Sequence, residues 1–152
     1  MKEIKKILFP VDFSEVSPKI VPWVLTIAEK FNAEIHLLFV VRRMEYFTGI
    51  YVSQVSIADF EDEVLKGAEK KIVEFADKYF SGYPVCKSNV IVGDAVEEII
   101  RYIKSGGIDM VLIGTHGRNP IERIFFGSVA RGVIKKSPVP VMTVNPNLVS
   151  EI

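Results

Sequence analysis

The chain has 152 residues, about half of them hydrophobic, and its 19 basic side chains balance 19 acidic ones. This is the length of one ordinary domain with a sizeable core, and zero net charge argues against a general binder of nucleic acid or anionic membrane, both of which call for a basic excess. Cys86 is the only cysteine, which excludes an intrachain disulfide and a zinc cluster built on paired thiols.

The N-terminus carries lysines ahead of an apolar run, Ile7 to Val11, that is too short for a secretory leader and is closed by Asp12. No apolar run approaches a bilayer span, so the expected location is the cytoplasm, with no membrane and no nucleic acid among the partners. The run from Ile7 to Val11 reads as a strand buried on both faces. Ser17-Pro18 opens a helix with Ile20, Val24, Ile27, Ala28 and Phe31 on one face, which Pro22 is expected to kink.

Glu34 to Val41 reads as a second strand, in which His36 is a packing or edge residue with no assigned role. Arg42 to Ser56 is aromatic-rich and aperiodic, a long excursion that is either a lid or a plain insertion. From Ile57 a helical period runs through Phe60, Val64, Ala68, Ile72, Phe75 and Tyr79. Val85 to Val92 is a third strand, Asp94 caps a helix that Gly106-Gly107 stops, Asp109 to Ile113 is a fourth strand, and Val139 to Val144 a fifth. Alternating apolar strands and crossover helices predict an α/β fold with a parallel sheet and helices on both faces. Ligands of such sheets bind beyond the strand C-termini, where Asp12 and Gly114 both fall.

Between the fourth strand and a helix over Ser128 to Lys136 lies Gly114-Thr-His-Gly117, then nine residues, then Gly127-Ser128. Glycines that end a strand and lead to a helix N-terminus let backbone N–H groups face an anion, so the segment reads as a phosphate cradle in which Gly127, Ser128 and Val129 offer free amides. The plainer reading is a loop with glycine turns and a serine N-cap. No Walker lysine motif exists, and Phe9 to Ser14 is not the glycine fingerprint of a dinucleotide fold.

Ile7-Leu-Phe-Pro-Val-Asp-Phe-Ser14, Gly-Thr-His-Gly117, Phe-Gly-Ser-Val129 and Pro138-Val-Pro-Val141 together resemble the ATP-binding branch of the universal stress protein family, over roughly Ile4 to Val144. The resemblance implies one nucleotide-binding domain over residues 1–152 with a Rossmann-like five-stranded parallel sheet of order 3-2-1-4-5. It places adenine and ribose against Pro10, Val11, Asp12 and Val40. It places the phosphates on Gly114, Thr115, His116, Gly117, Arg118, Asn119, Gly127, Ser128 and Val129, bridged by Mg²⁺ or Mn²⁺. An acidic residue is common in the family where this chain has Arg42-Arg43.

Asp12 has two readings, a cap for the turn after its strand or a site residue that accepts a ribose hydroxyl or orients metal-bound water. The resemblance further implies a homodimer through the fifth strand, against which stands a monomer whose edge is guarded by Pro140. No nucleophile–base pair is legible. The expected function is an ATP-dependent switch or sensor in the stress response, with an unknown downstream partner and little hydrolysis. An ATP-hydrolysing or adenylyl-transferring enzyme and a nucleotide-free interaction module are the alternatives.

Overall fold

The computed structural model describes residues 1–43, 54–115 and 127–146, and of 54–58 the backbone alone. In chain order the elements are β1 (Lys6–Pro10), α1 (Ser17–Phe31), β2 (Glu34–Val41), α2 (Gln54–Phe80), β3 (Cys86–Val92), α3 (Ala95–Gly106), β4 (Met110–Gly114), α4 (Ser128–Lys136) and β5 (Val141–Val144). The five strands form one parallel sheet in the order β3-β2-β1-β4-β5. The fold is α/β and Rossmann-like, and β1 and β4 are neighbours, so their C-terminal ends share one edge of the sheet.

Alternation along the strands sorts the core into two layers. Ile7, Phe9, Ile35, Leu37 and Leu112 meet Ile20, Val24 and Ala28 of α1 and Ile72 and Phe75 of α2. Leu8, Leu38, Val111 and Ile113 point the other way, onto Ile99 and Ile103 of α3 and Ala130 and Val133 of α4. Successive side chains of a strand face opposite sides, so apolar runs such as Ile7-Leu-Phe9 need a helix layer on each. The start of β1 is tied down by Asp109, whose Oδ2 accepts the amides of Lys5 at 2.9 Å and Lys6 at 3.0 Å.

Several ends differ from the sequence reading. The fifth strand begins at Val141, not Val139. The Ser137 hydroxyl donates to the Val139 carbonyl and accepts the Val139 amide, and Pro138 and Pro140 have no N–H to pair, so the ladder starts late. Helix α2 begins at Gln54 rather than Ile57, and residues 44–53 of the aromatic excursion lie outside the described residues. Helix α1 runs on through Pro22 to Phe31. Asp94 caps α3 as expected, accepting the Glu97 amide at 3.0 Å.

Helix α3 stops at Gly107, whose φ of 63° is left-handed. Nothing lies within 4 Å of where a Cβ would sit, so Gly107→Ala tests the backbone alone. It should lower stability by about 1 kcal/mol, read as a shift of the urea midpoint with unchanged slope.

His36 is buried and belongs to a polar cluster at the far end of the sheet from Asp12. Its Nδ1 lies 2.8 Å from the Tyr102 hydroxyl, which accepts a 2.8 Å bond from Asn89 Nδ2. A hydroxyl proton given to Nδ1 matches an Nε2–H that faces the Glu34 carboxylate at 3.4 Å, the tautomer in which both ring nitrogens have a complementary partner. Burial holds the His36 pKa below its ordinary 6.5, the Glu34 bond working the other way and Lys87 and Lys6 adding to the depression. The unfolded chain therefore takes up this proton first. The stabilisation is complete above 6.5 and is lost as pH falls through the folded value. Urea midpoints should drop as pH falls below the ordinary histidine value of 6.5, and His36→Asn should flatten that slope.

Candidate functional site

The C-terminal ends of β1, β2 and β4 and the N-terminus of α4 surround a cavity of about 600 Å³. This lies within the range of small-molecule sites, at the edge where parallel sheets bind ligands. From β1 and the turn after it come Pro10, Val11 and Asp12; from β2 comes Val40. Gly114 ends β4, and Gly127, Ser128 and Val129 open α4 on the opposite wall. Eight of the residues singled out in the sequence thus line one space. Thr115 is buried behind it, and His116, Gly117, Arg118 and Asn119 lie outside the described residues.

Asp12 is placed by its own loop. Its Oδ1 accepts the Ser14 amide at 2.9 Å, the Ser14 hydroxyl at 2.6 Å and the Ser17 hydroxyl at 2.8 Å. The turn-capping role is therefore real, and it coexists with a place on the cavity wall. Among the described residues no hydrogen bond reaches Oδ2. Ser17 is buried, so its donation to Asp12 links the carboxylate to the first turn of α1.

At the opposite wall Gly127 is the N-cap of α4, with no side-chain cap bond, and Ser128 is the first helical residue. The serine N-cap reading is thereby corrected, and so is one detail of the cradle. The Gly127 amide is taken by the Thr115 carbonyl, which anchors the helix start to the end of β4. The Gly127 carbonyl accepts the Arg131 amide at 3.0 Å and starts the helical ladder, so the amides of Ser128, Val129 and Ala130 are first-turn donors with no backbone acceptor among the described residues. A Cβ on Gly127 would sit 3.3 Å from the Thr115 carbonyl oxygen, so glycine serves the close approach of loop and helix.

The remaining wall was not singled out in the sequence. Phe39 and Val41 flank Val40, Ile20 comes from α1, Val64 from α2, and Ala95 and Ile99 from α3. The parallel topology could have pointed to the β2 neighbours; α3 and α2 reach the cavity only through tertiary packing. Among the described residues, Asp12 and Arg42 are the ionisable side chains on the cavity wall. A second, shallower cleft of about 340 Å³ between α3 and α4 is lined by Glu97, Ile100, Arg101, Lys104 and Lys136. Among the described residues no group of three His, Cys, Asp or Glu side chains comes together to hold a metal. Burial pushes the Cys86 thiol up to about 11, so it stays protonated at neutral pH. No helix among the described residues is long and apolar enough to cross a membrane.

The sequence pattern of the universal stress protein family matches residues 3–145. The chain belongs to that family. Universal stress protein MJ0577 of Methanocaldococcus jannaschii is 32% identical to this universal stress protein over 92% of this chain and 94% of that one. The solved structure of MJ0577 superposes with a TM-score of 0.82 at 28% identity, covering 95% of this chain and 97% of the other. Two more distant relatives share the fold. A family protein of Arabidopsis thaliana with AMP bound gives a TM-score of 0.58 at 20% identity, over 93% of this chain and 91% of that one. The Archaeoglobus fulgidus universal stress protein in complex with dAMP gives 0.56 at 18% identity, over 95% and 100%.

Proposed function

We propose that this protein binds ATP in the cavity at the C-terminal edge of the sheet and acts as a nucleotide-dependent switch or sensor in the stress response. The observation that carries the reading is the pairing, across one cavity, of the Asp12 carboxylate with an α4 N-terminus whose first-turn amides have no protein partner among the described residues. A carboxylate accepts sugar hydroxyls, and a helix N-terminus attracts phosphate through its amides and dipole. Pro10, Val11 and Val40 supply apolar and backbone contact for the base, Asp12 the ribose acceptor, and Gly114, Ser128 and Val129 the phosphate end. Thr115, His116, Gly117, Arg118, Asn119 and Gly127 complete the phosphate loop in this reading. The solved relatives with AMP and dAMP support an adenine nucleotide as the ligand.

Mg²⁺ or Mn²⁺ enters with the nucleotide, held on its phosphates. In keeping with this, the ionisable groups of the cavity wall among the described residues are one carboxylate, Asp12, and one guanidinium, Arg42. The reading extends to a cytoplasmic homodimer joined along β5, whose outer edge pairs with no strand among the described residues, and to a downstream partner that responds to the bound state.

The test is to denature the purified protein, identify any released nucleotide by chromatography, and titrate the stripped protein with ATP with and without Mg²⁺. Intact ATP and Mg²⁺-dependent binding are expected. Recovery of ADP or AMP would favour the hydrolysing alternative, and no binding at millimolar ATP would contradict the proposal.

A further inference from the structure

Phe13, next to Asp12, has φ of 56°, in the left-handed region that a bulky aromatic residue rarely enters. Neither a glycine nor a turn-type residue stands there, so something else holds the conformation. The Phe13 ring lies 4.5 Å, centroid to centroid, from Phe39 and 6.3 Å from Phe75, in tilted and edge-on geometries. Phe39 also lines the cavity, and Phe75 is part of the buried core under β1 and β2. The strained backbone thus sits between the candidate acceptor and a ring stack anchored in the core. Such outliers persist where the surroundings over-determine them, and they gather at binding sites.

We propose that Phe13 is a positioning residue for the ligand's sugar. This rests on the nucleotide reading above and adds a residue that does not itself line the cavity. The left-handed turn at Phe13 brings Ser14 back under Asp12, so that the Ser14 amide and hydroxyl both reach Oδ1. Oδ1 is satisfied by the loop, and Oδ2 is left for a ribose hydroxyl. If residue 13 relaxed to an extended or right-handed conformation, the Ser14 donors would leave Oδ1 and the Ser17 hydroxyl alone would hold the carboxylate, about which it could turn. The rings select the turn, and the turn aims the carboxylate.

The experiment compares two variants that both delete the ring and differ in backbone preference. Asparagine tolerates the left-handed region, whereas β-branched valine does not. Wild type, Phe13→Asn and Phe13→Val are titrated calorimetrically with ATP and with dideoxyATP, which lacks both ribose hydroxyls, and their melting temperatures are recorded. Wild type and Phe13→Asn should prefer ATP on the order of tenfold, the worth of a hydrogen bond to a charged acceptor, while Phe13→Val should bind the two nucleotides alike. Both variants should lose thermal stability.

A purely structural role would lower both melting temperatures and leave the preference in both, which would overturn the proposal. Loss of the preference in both would assign the effect to the ring alone and overturn it as well. A wild type that binds both nucleotides equally would overturn the proposal while leaving the nucleotide reading intact. A wild type that binds neither would remove the nucleotide reading and this inference with it. Should Phe13→Val not fold, Phe13→Ala carries the same comparison.

Discussion

Gly127→Asp should weaken ATP binding roughly 30-fold while leaving the protein as stable as before or slightly more so. Gly127 is the N-cap of α4 and makes no side-chain cap bond, so an aspartate there gains a favourable capping position worth a few tenths of a kcal/mol. Its Cβ meets the Thr115 carbonyl oxygen at 3.3 Å, which asks the loop to give by only a few tenths of an ångström. The same carboxylate then competes for the first-turn amides that the phosphates need and repels the phosphates directly. Two unit charges about 4 Å apart in an effective dielectric near 20 repel by about 4 kcal/mol, and solvent at the cavity mouth halves this to about 2 kcal/mol. Gly127→Asn, which caps without charge, should lose much less. Calorimetric titration with ATP beside thermal melts separates the two effects. Unchanged affinity in Gly127→Asp would remove the α4 N-terminus from the ligand site.

The largest expected effect on stability comes from the other side of the same sheet. Phe9→Ala should destabilise the protein by about 3–5 kcal/mol, from lost transfer energy and the cavity left behind. Phe9 is fully buried on β1, the central strand, with its ring 6.4 Å from that of Phe75. Its neighbours belong to two strands and two helices, so the gap cannot close by moving one of them. Trp23, on the outer surface of α1 and 39% exposed, is the contrast: Trp23→Ala should change stability far less. Urea unfolding of both variants, at constant slope, checks the ordering.

The layers of this fold were legible because their cause is local. A run such as Ile7-Leu-Phe9 can satisfy two core faces only as a strand covered on both sides, and the helical period of α2 gives a buried face at Ala68, Ile72 and Phe75, while Phe60 and Val64 at its start are exposed. The strand order was not local information and came from the resemblance to the family; the structure bears it out. Late β5 was misjudged because Ser137 and two prolines act on hydrogen bonds that hydropathy does not register.

In the site, Asp12, Gly114 and Gly127 to Val129 were legible as strand and helix ends marked by acid and glycine residues, whereas Pro10, Val11 and Val40 came from the resemblance to the family. Three things were hidden. The Gly127 amide is taken by Thr115 from the end of β4, His36 meets Tyr102 and Asn89 from far along the chain, and the left-handed Phe13 is selected by rings on other elements. Each depends on a partner distant in sequence, which a pattern of residue types does not specify.

The central claim is that the cavity between Asp12 and the α4 N-terminus takes ATP with its phosphates toward α4. Amide chemical shifts of isotope-labelled protein titrated with Mg²⁺-ATP test it most directly. The account predicts that the Gly114, Ser128, Val129 and Ala130 amides move most, with Val40, Val41 and the Asp12 loop following, and that adenosine moves only the second group. Shifts confined to the Arg101, Lys104 and Lys136 cleft, or no shifts at millimolar nucleotide, would contradict it.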